Sequence, residues 1–175
     1  MIAGLGEIGL ETARIARALG MKVSGTKRTV EPIEGIEQVS DNDGLSGLLA
    51  TADAVVNTLP GTPYTEGLFS REVFSAMKPG TVFVNVGRGT VVDEEALLEA
   101  LDNGQLSYAC LDVFAVEPLP QESPLWNHPN VMVSPHTSAL SAAENRLIAE
   151  RFASNLRTFL DGGDLPHLVD TVHFY

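Results

Sequence analysis

A few side chains in the second half of the sequence have the types and settings that anion binding and proton transfer require. Arg88 stands between two glycines in VNVGRGTVVD, Asp112 and Glu117 fall in LDVFAVEPLP, and His136 sits in VSPHTSA. A guanidinium presents a planar fork of donors matched to a carboxylate. An imidazole exchanges its proton near neutral pH. Taken singly, each also has a plain structural use: a loop ion pair for Arg88, a solvated acid for Glu117, a packed histidine for His136. Their common setting distinguishes them. Each follows an apolar run that reads as a strand, and α/β sheets bind ligands outside the carboxyl ends of their strands. His128, His167 and His173 lack such company and read as structural or exposed. Trp126, in SPLWNHPN, reads as a packing or interface residue.

A second cluster opens the chain. In GLGEIG, Gly4, Gly6 and Gly9 have the spacing of a dinucleotide-binding turn. The first glycine permits the bend, the second lets the backbone approach a pyrophosphate, and the third lets the helix pack closely on the strand. The helix start then offers free N–H groups and a positive dipole end. Only Met1, Ile2 and Ala3 precede the turn, fewer than the ~5–6 residues of an ordinary strand. At the end of the next strand, an acid that would bond a ribose 2′-hydroxyl is missing. SGTKRT instead supplies Thr26, Lys27, Arg28 and Thr29. Two cations and two hydroxyls suit a 2′-phosphate, hence NADP in preference to NAD; a solvated basic turn is the plainer alternative.

These residues need a scaffold. Residues 7–20 read as a helix with an apolar face of Ile8, Ala13, Ile15, Ala16 and Leu19, stopped by Gly20. MKVSG reads as a strand. DGLSGLLATA reads as a short helix leading into a buried strand over 54–58, which Pro60 and Gly61 end. Ser70 is placed to cap a helix through Met77, and Asp93 to cap another over 94–103. TVFVNVG, LSYACLDVF and NVMVSPH supply further strands. Apolar strands alternating with helices predict a doubly wound parallel sheet of the Rossmann type. From Ser141 the pattern changes to one long amphipathic helix, with Ser141 and Glu144 at capping-box spacing, and a tail. The expected division is therefore 1–140, a dinucleotide-binding domain, and 141–175, a crossover helix and tail.

Composition bounds the function. Apolar residues make up 44% of the 175, enough for a core, and no apolar run reaches the ~20 residues of a membrane span. The net charge of −12 disfavours nucleic-acid and anionic-membrane partners. Cys110 is the sole cysteine and reads as a small buried residue. With no basic and apolar leader pattern at the start, the expected location is the cytoplasm. No metal site is expected.

Taken in order, GLGEIG, NVGRGTVVDEEAL, DVFAVEPL and SPHTSA resemble the nucleotide-binding domain of the D-isomer-specific 2-hydroxyacid dehydrogenases, which include glyoxylate/hydroxypyruvate reductases and phosphoglycerate dehydrogenase. The resemblance runs from residue 1 to about 170. It implies that Arg88 holds the substrate carboxylate and polarises the 2-oxo group, and that His136 is the general acid. Glu117 would pair with His136 and favour its imidazolium form. The same resemblance implies that Asp112 bonds the nicotinamide carboxamide, and that Glu7 and Ile8 offer N–H groups to the pyrophosphate. Leu59, Pro60 and Thr65 would line the adenosine and ribose side, and Val86 and Gly87 would pass the nicotinamide. Arg88, His136 and Ser138 count among the cofactor contacts as well. The expected activity is interconversion of 2-oxo acids and D-2-hydroxy acids, mainly as a reductase, in a homodimer. A substrate domain ahead of Met1, to which the crossover helix would return, is implied by the family and missing from this sequence. The alternative is a dinucleotide-binding scaffold or corepressor-type sensor of the same fold.

Overall fold

Short runs, richest in Val, form the strands, and the residues that punctuate them turn the chain back. A computed structural model describes residues 1–166, 168 and 169; His167 and His173 lie outside them. The strands are β1 (Ile2–Ala3), β2 (Ser24–Thr26), β3 (Gln38–Ser40), β4 (Ala54–Asn57), β5 (Thr81–Asn85), β6 (Leu106–Leu111) and β7 (Val131–Val133). All pair in parallel, in the order β3-β2-β1-β4-β5-β6-β7. The chain therefore winds outward from β1 to β3, returns, and winds the other way from β4. The crevice between the carboxyl ends of β1 and β4 is the switch point where such sheets take ligands. The helices are α1 (Glu7–Ala18), α2 (Leu45–Leu49), α3 (Arg71–Ser75), α4 (Glu94–Asp102) and α5 (Glu144–Leu160). Two compact units result, Met1–His136 and Thr137–Tyr175.

The larger core cluster centres on Phe69, Phe74 and Phe83, whose ring centroids lie 5.0–6.1 Å apart in tilted and edge-on contacts. Each such buried ring stabilises the fold by about 1.5–3 kcal/mol. A smaller cluster of Ile2, Leu5, Ala13 and Val23 holds α1 to the sheet. Although β1 has only two residues, its pairing runs on: the Val56 N–H donates to the Met1 carbonyl at 3.0 Å and the Leu5 N–H to the Thr26 carbonyl at 2.7 Å.

Several sequence expectations need correction. The face of α1 that packs inward is Gly9, Ala13 and half-buried Ala16, whereas Ile8, Ile15 and Leu19 are exposed. Small residues win because the helix must lie close against the glycine turn. The first helix ends at Ala18, and the second strand starts at Ser24, not Met21. β3 carries no clear pattern in sequence, because three residues at a sheet edge are too short to show alternation. Asp93 does cap α4, its Oδ1 accepting the Ala96 N–H at 3.0 Å. Ser70 does not cap through its side chain: its hydroxyl donates to Glu72 instead, and α3 stops at Ser75. No capping box forms at Ser141; α5 starts at Glu144 behind Ala143, and the Ser141 hydroxyl accepts the Ala143 N–H. Cys110 is half-buried, and desolvation pushes its thiol pKa up. His128 is structural, accepting the Asn130 N–H at 3.2 Å and facing Asp102.

Candidate active site

The glycine turn has the geometry its spacing predicts. Gly4 has φ of +98°, a conformation that L side chains rarely adopt. A Cβ on Gly9 would lie 2.1 Å from the Gly4 carbonyl oxygen, so only glycine lets α1 dock there. Gly6, the N-cap of α1, has open space where its Cβ would stand and offers no side-chain cap. Gly6 thus leaves open the space beside the start of α1, the arrangement a pyrophosphate needs. Thr26 is buried, and its hydroxyl accepts the Gly4 N–H at 3.2 Å, so this residue holds the turn. Lys27 is half-buried with its ammonium 2.5 Å from Glu31, and Arg28 is exposed beside it.

Across the crevice, the β4 and β5 ends carry the loops at Leu59–Pro60 and Val86–Arg88. Thr65 is buried and donates to the Pro60 carbonyl at 2.6 Å, fixing the first loop. Arg88 is exposed, and its Nη1 donates to the Gly87 carbonyl at 2.8 Å. Gly89 admits no Cβ, which would lie 1.8 Å from the Phe114 carbonyl carbon. That close approach brings the loop after β6 against the Arg88 loop.

Glu117 sits in that loop, before a cis peptide to Pro118. Its Oε1 accepts the Phe114 N–H at 3.0 Å and its Oε2 lies 2.8 Å from His136 Nδ1. The bond from His136 and that from the Phe114 N–H, with the nearby charge of Arg88, hold the Glu117 carboxyl below the usual carboxylate range. An ionised carboxylate only accepts, so Nδ1 carries the hydrogen and Nε2 is the atom left to exchange a proton. His136 itself has φ of +54°, the one non-glycine in the left-handed region among the described residues. Such a conformation costs on the order of 1 kcal/mol and concentrates at functional sites. Asp112, buried at the end of β6, accepts the Ser134 hydroxyl at 2.6 Å. Ser138 is exposed and belongs to the second unit.

Arg88, Glu117 and His136, far apart in sequence, therefore meet at the carboxyl ends of adjacent strands. A hollow of about 740 Å³ lined by Met1, Ile15, Leu19, Lys22 and Asp53 lies at the opposite, amino ends and has none of this chemistry. Residues 1–138 match the model of the NAD binding domain of D-isomer specific 2-hydroxyacid dehydrogenases. The chain belongs to that family. Among D-isomer specific 2-hydroxyacid dehydrogenases of known structure, the one from Xanthobacter autotrophicus, in complex with NADPH and MES, superposes with a TM-score of 0.90 at 40% identity, over 97% of this chain and 69% of that one. The NADPH-dependent glyoxylate/hydroxypyruvate reductase of Sinorhizobium meliloti, in complex with NADP and sulfate, gives a TM-score of 0.93 at 39% identity, over 99% and 56%. Glyoxylate/hydroxypyruvate reductase A of Serratia proteamaculans is 34% identical over 165 residues, 94% of this chain and 52% of the relative. The chain spans about half the length of the curated relatives it matches.

Some residues of the site escaped the sequence reading. Thr58 donates to the Gly4 carbonyl at 2.7 Å and locks the glycine turn to β4. Asn57 and Asn85 are buried side by side. The signal for the pair was present: each is a lone amide closing an apolar strand, AVVN and TVFVN.

Proposed function

We propose that this chain is the nucleotide-binding part of an NADPH-preferring reductase of small 2-oxo acids, of the glyoxylate or hydroxypyruvate kind. The observation that carries this reading is the 2.8 Å contact between His136 Nδ1 and a Glu117 carboxylate that is itself anchored to backbone. A reduced nicotinamide, when bound, supplies the hydride. The residues present fit one: an open turn at Gly6, the helix start at Glu7 and Ile8, and the cations of Lys27 and Arg28. Arg88 binds the substrate carboxylate through its guanidinium and draws electron density toward the 2-oxo oxygen. His136 passes the Nε2 proton to that oxygen as the carbonyl carbon is reduced, and Glu117 holds the ring and offsets its charge. Asp112, Val86 and Gly87 border the nicotinamide end, and Leu59, Pro60 and Thr65 the adenosine end. The protein acts as a homodimer, a reading that the exposed Ile148, Phe152, Leu156 and Phe159 on one face of α5 support.

The decisive experiment follows NADPH oxidation with hydroxypyruvate and glyoxylate in the intact enzyme to which this part would belong, as the wild type and as His136→Asn. Asparagine tolerates a positive φ and keeps the backbone. The expected loss in kcat is ~10²–10⁴-fold with unchanged NADPH affinity. Tight NADPH binding without turnover of any 2-oxo acid would favour a nucleotide-sensing scaffold. Unimpaired turnover by His136→Asn would refute the role of the histidine.

A further inference from the structure

β4 and β5 lie side by side in register, with Asn57 opposite Asn85 at their carboxyl ends. Both amides are excluded from solvent, at 0% and 1% exposure. Each side chain bends back on its own loop in the same way. Asn57 Oδ1 accepts the Leu59 N–H at 3.1 Å, and Asn85 Oδ1 accepts the Gly87 N–H at 3.2 Å. These are twin Asx turns. They are joined, because Asn57 Nδ2 donates to Asn85 Oδ1 at 2.9 Å. Asn85 Nδ2 in turn donates to the carbonyl of Arg88 at 3.3 Å. Around the pair the loops touch backbone to backbone: a Cβ on Gly87 would lie 2.5 Å from the Leu59 carbonyl oxygen. A continuous path of hydrogen bonds, buried at its centre and part-buried at its ends, thus runs from the Leu59 amide to the Arg88 carbonyl.

We infer that Asn57 and Asn85 are positioning residues that couple the nucleotide loop at Leu59–Pro60 to the substrate arginine, so that occupancy of either favours the other. The inference rests on the proposed roles of those loops. A shift of Leu59 against the nucleotide moves Asn57 Oδ1, the shared bond moves Asn85, and Asn85 carries both Gly87 and Arg88. Neither amide can turn over without setting like groups against each other, since the Oδ1 of each accepts a backbone N–H and the Nδ2 of each donates to oxygen. The buried pair therefore behaves as a rigid link, and coupling of this kind is reciprocal.

The test uses 2′,5′-ADP, which carries the adenosine end of the nucleotide and cannot reach Arg88, with oxamate as an unreactive 2-oxo acid mimic. In the wild type, 2′,5′-ADP should tighten oxamate binding about fivefold, the lower end of ordinary coupling. Asn57→Asp keeps the acceptor for Leu59 and removes the amide donor to Asn85. Its coupling factor should fall below about twofold, and its melting temperature should fall as well, because the new carboxylate is buried and faces Asn85 Oδ1. A purely structural amide would change stability and leave the factor unaltered. Should Asn57→Asp fail to fold, hydrogen exchange in the wild type decides: 2′,5′-ADP must slow exchange at the Gly87 amide, which it cannot touch. An undiminished factor in a folded variant, a wild type that binds both ligands independently, or no protection at Gly87 would overturn the coupling alone. A wild type that binds no 2′,5′-ADP would overturn the nucleotide-binding reading and the coupling with it.

Discussion

Alanine at Gly6 and alanine at Gly9 should fail for opposite reasons, although the two lie three residues apart. At Gly9 the new methyl would stand 2.1 Å from the Gly4 carbonyl oxygen. An ordinary contact needs about 3.4 Å or more, so helix and turn must separate by over an ångström. The carbonyl cannot yield, because Thr58 Oγ1 donates to it at 2.7 Å, while Thr26 Oγ1 holds the Gly4 N–H from the other side. Overpacking of this kind costs about 1–3 kcal/mol, which for a chain of this size lowers Tm by roughly 2–12 °C. At Gly6 nothing lies within 4 Å of the new methyl, and φ of −83° suits alanine. Stability should hold within about 0.5 kcal/mol. The methyl would occupy the space through which a pyrophosphate approaches the α1 amides, and NADPH affinity should fall at least tenfold, about 1.4 kcal/mol. Thermal melts and calorimetric titration of both variants read the two effects separately. A Gly6→Ala variant that binds NADPH like the wild type would refute the reasoning, and so would a Gly9→Ala variant with unchanged Tm.

Two further outcomes follow from charges at the site. The Glu117 carboxyl, held low mainly by its bond from His136, should titrate below the ordinary value of about 4.3 in a carbon-detected NMR titration. Because the folded pKa is depressed, the stabilisation from this pair is complete above the ordinary carboxylate value and is lost as pH falls through the depressed one. His136→Asn should raise the Glu117 midpoint; an unmoved midpoint would separate the two residues. The double variant Lys27→Ala, Arg28→Ala should bind NADPH about 30-fold less tightly, taking about 1 kcal/mol for each charge-assisted bond. The low value is chosen because Lys27 must first leave Glu31. NADH affinity should not change, and equal wild-type affinities for the two nucleotides would remove the preference.

Sequence alone determined the alternation of apolar strands with helices, because burial on both faces of a parallel sheet writes apolar runs into its inner strands, as in AVVN and TVFVN. It also determined the glycine spacing, since backbone approach is a property of missing side chains, and the Asp93 cap, since capping is a contact three residues long. Spacing could not say which face of α1 goes inward. The sheet chose Gly9 and Ala13 over Ile8 and Ile15, because close docking outweighs the larger apolar area of the isoleucines. Nor could it reveal the edge strand Gln38–Ser40, which exists only through pairing with Ser24–Thr26. The meeting of Arg88, Glu117 and His136 follows from strand order, a long-range property that no local pattern encodes. The orientation of His136 is set by tertiary contacts as well: its left-handed backbone and the Phe114 amide behind Glu117 aim the ring, and neither leaves a mark on the residues nearby in sequence.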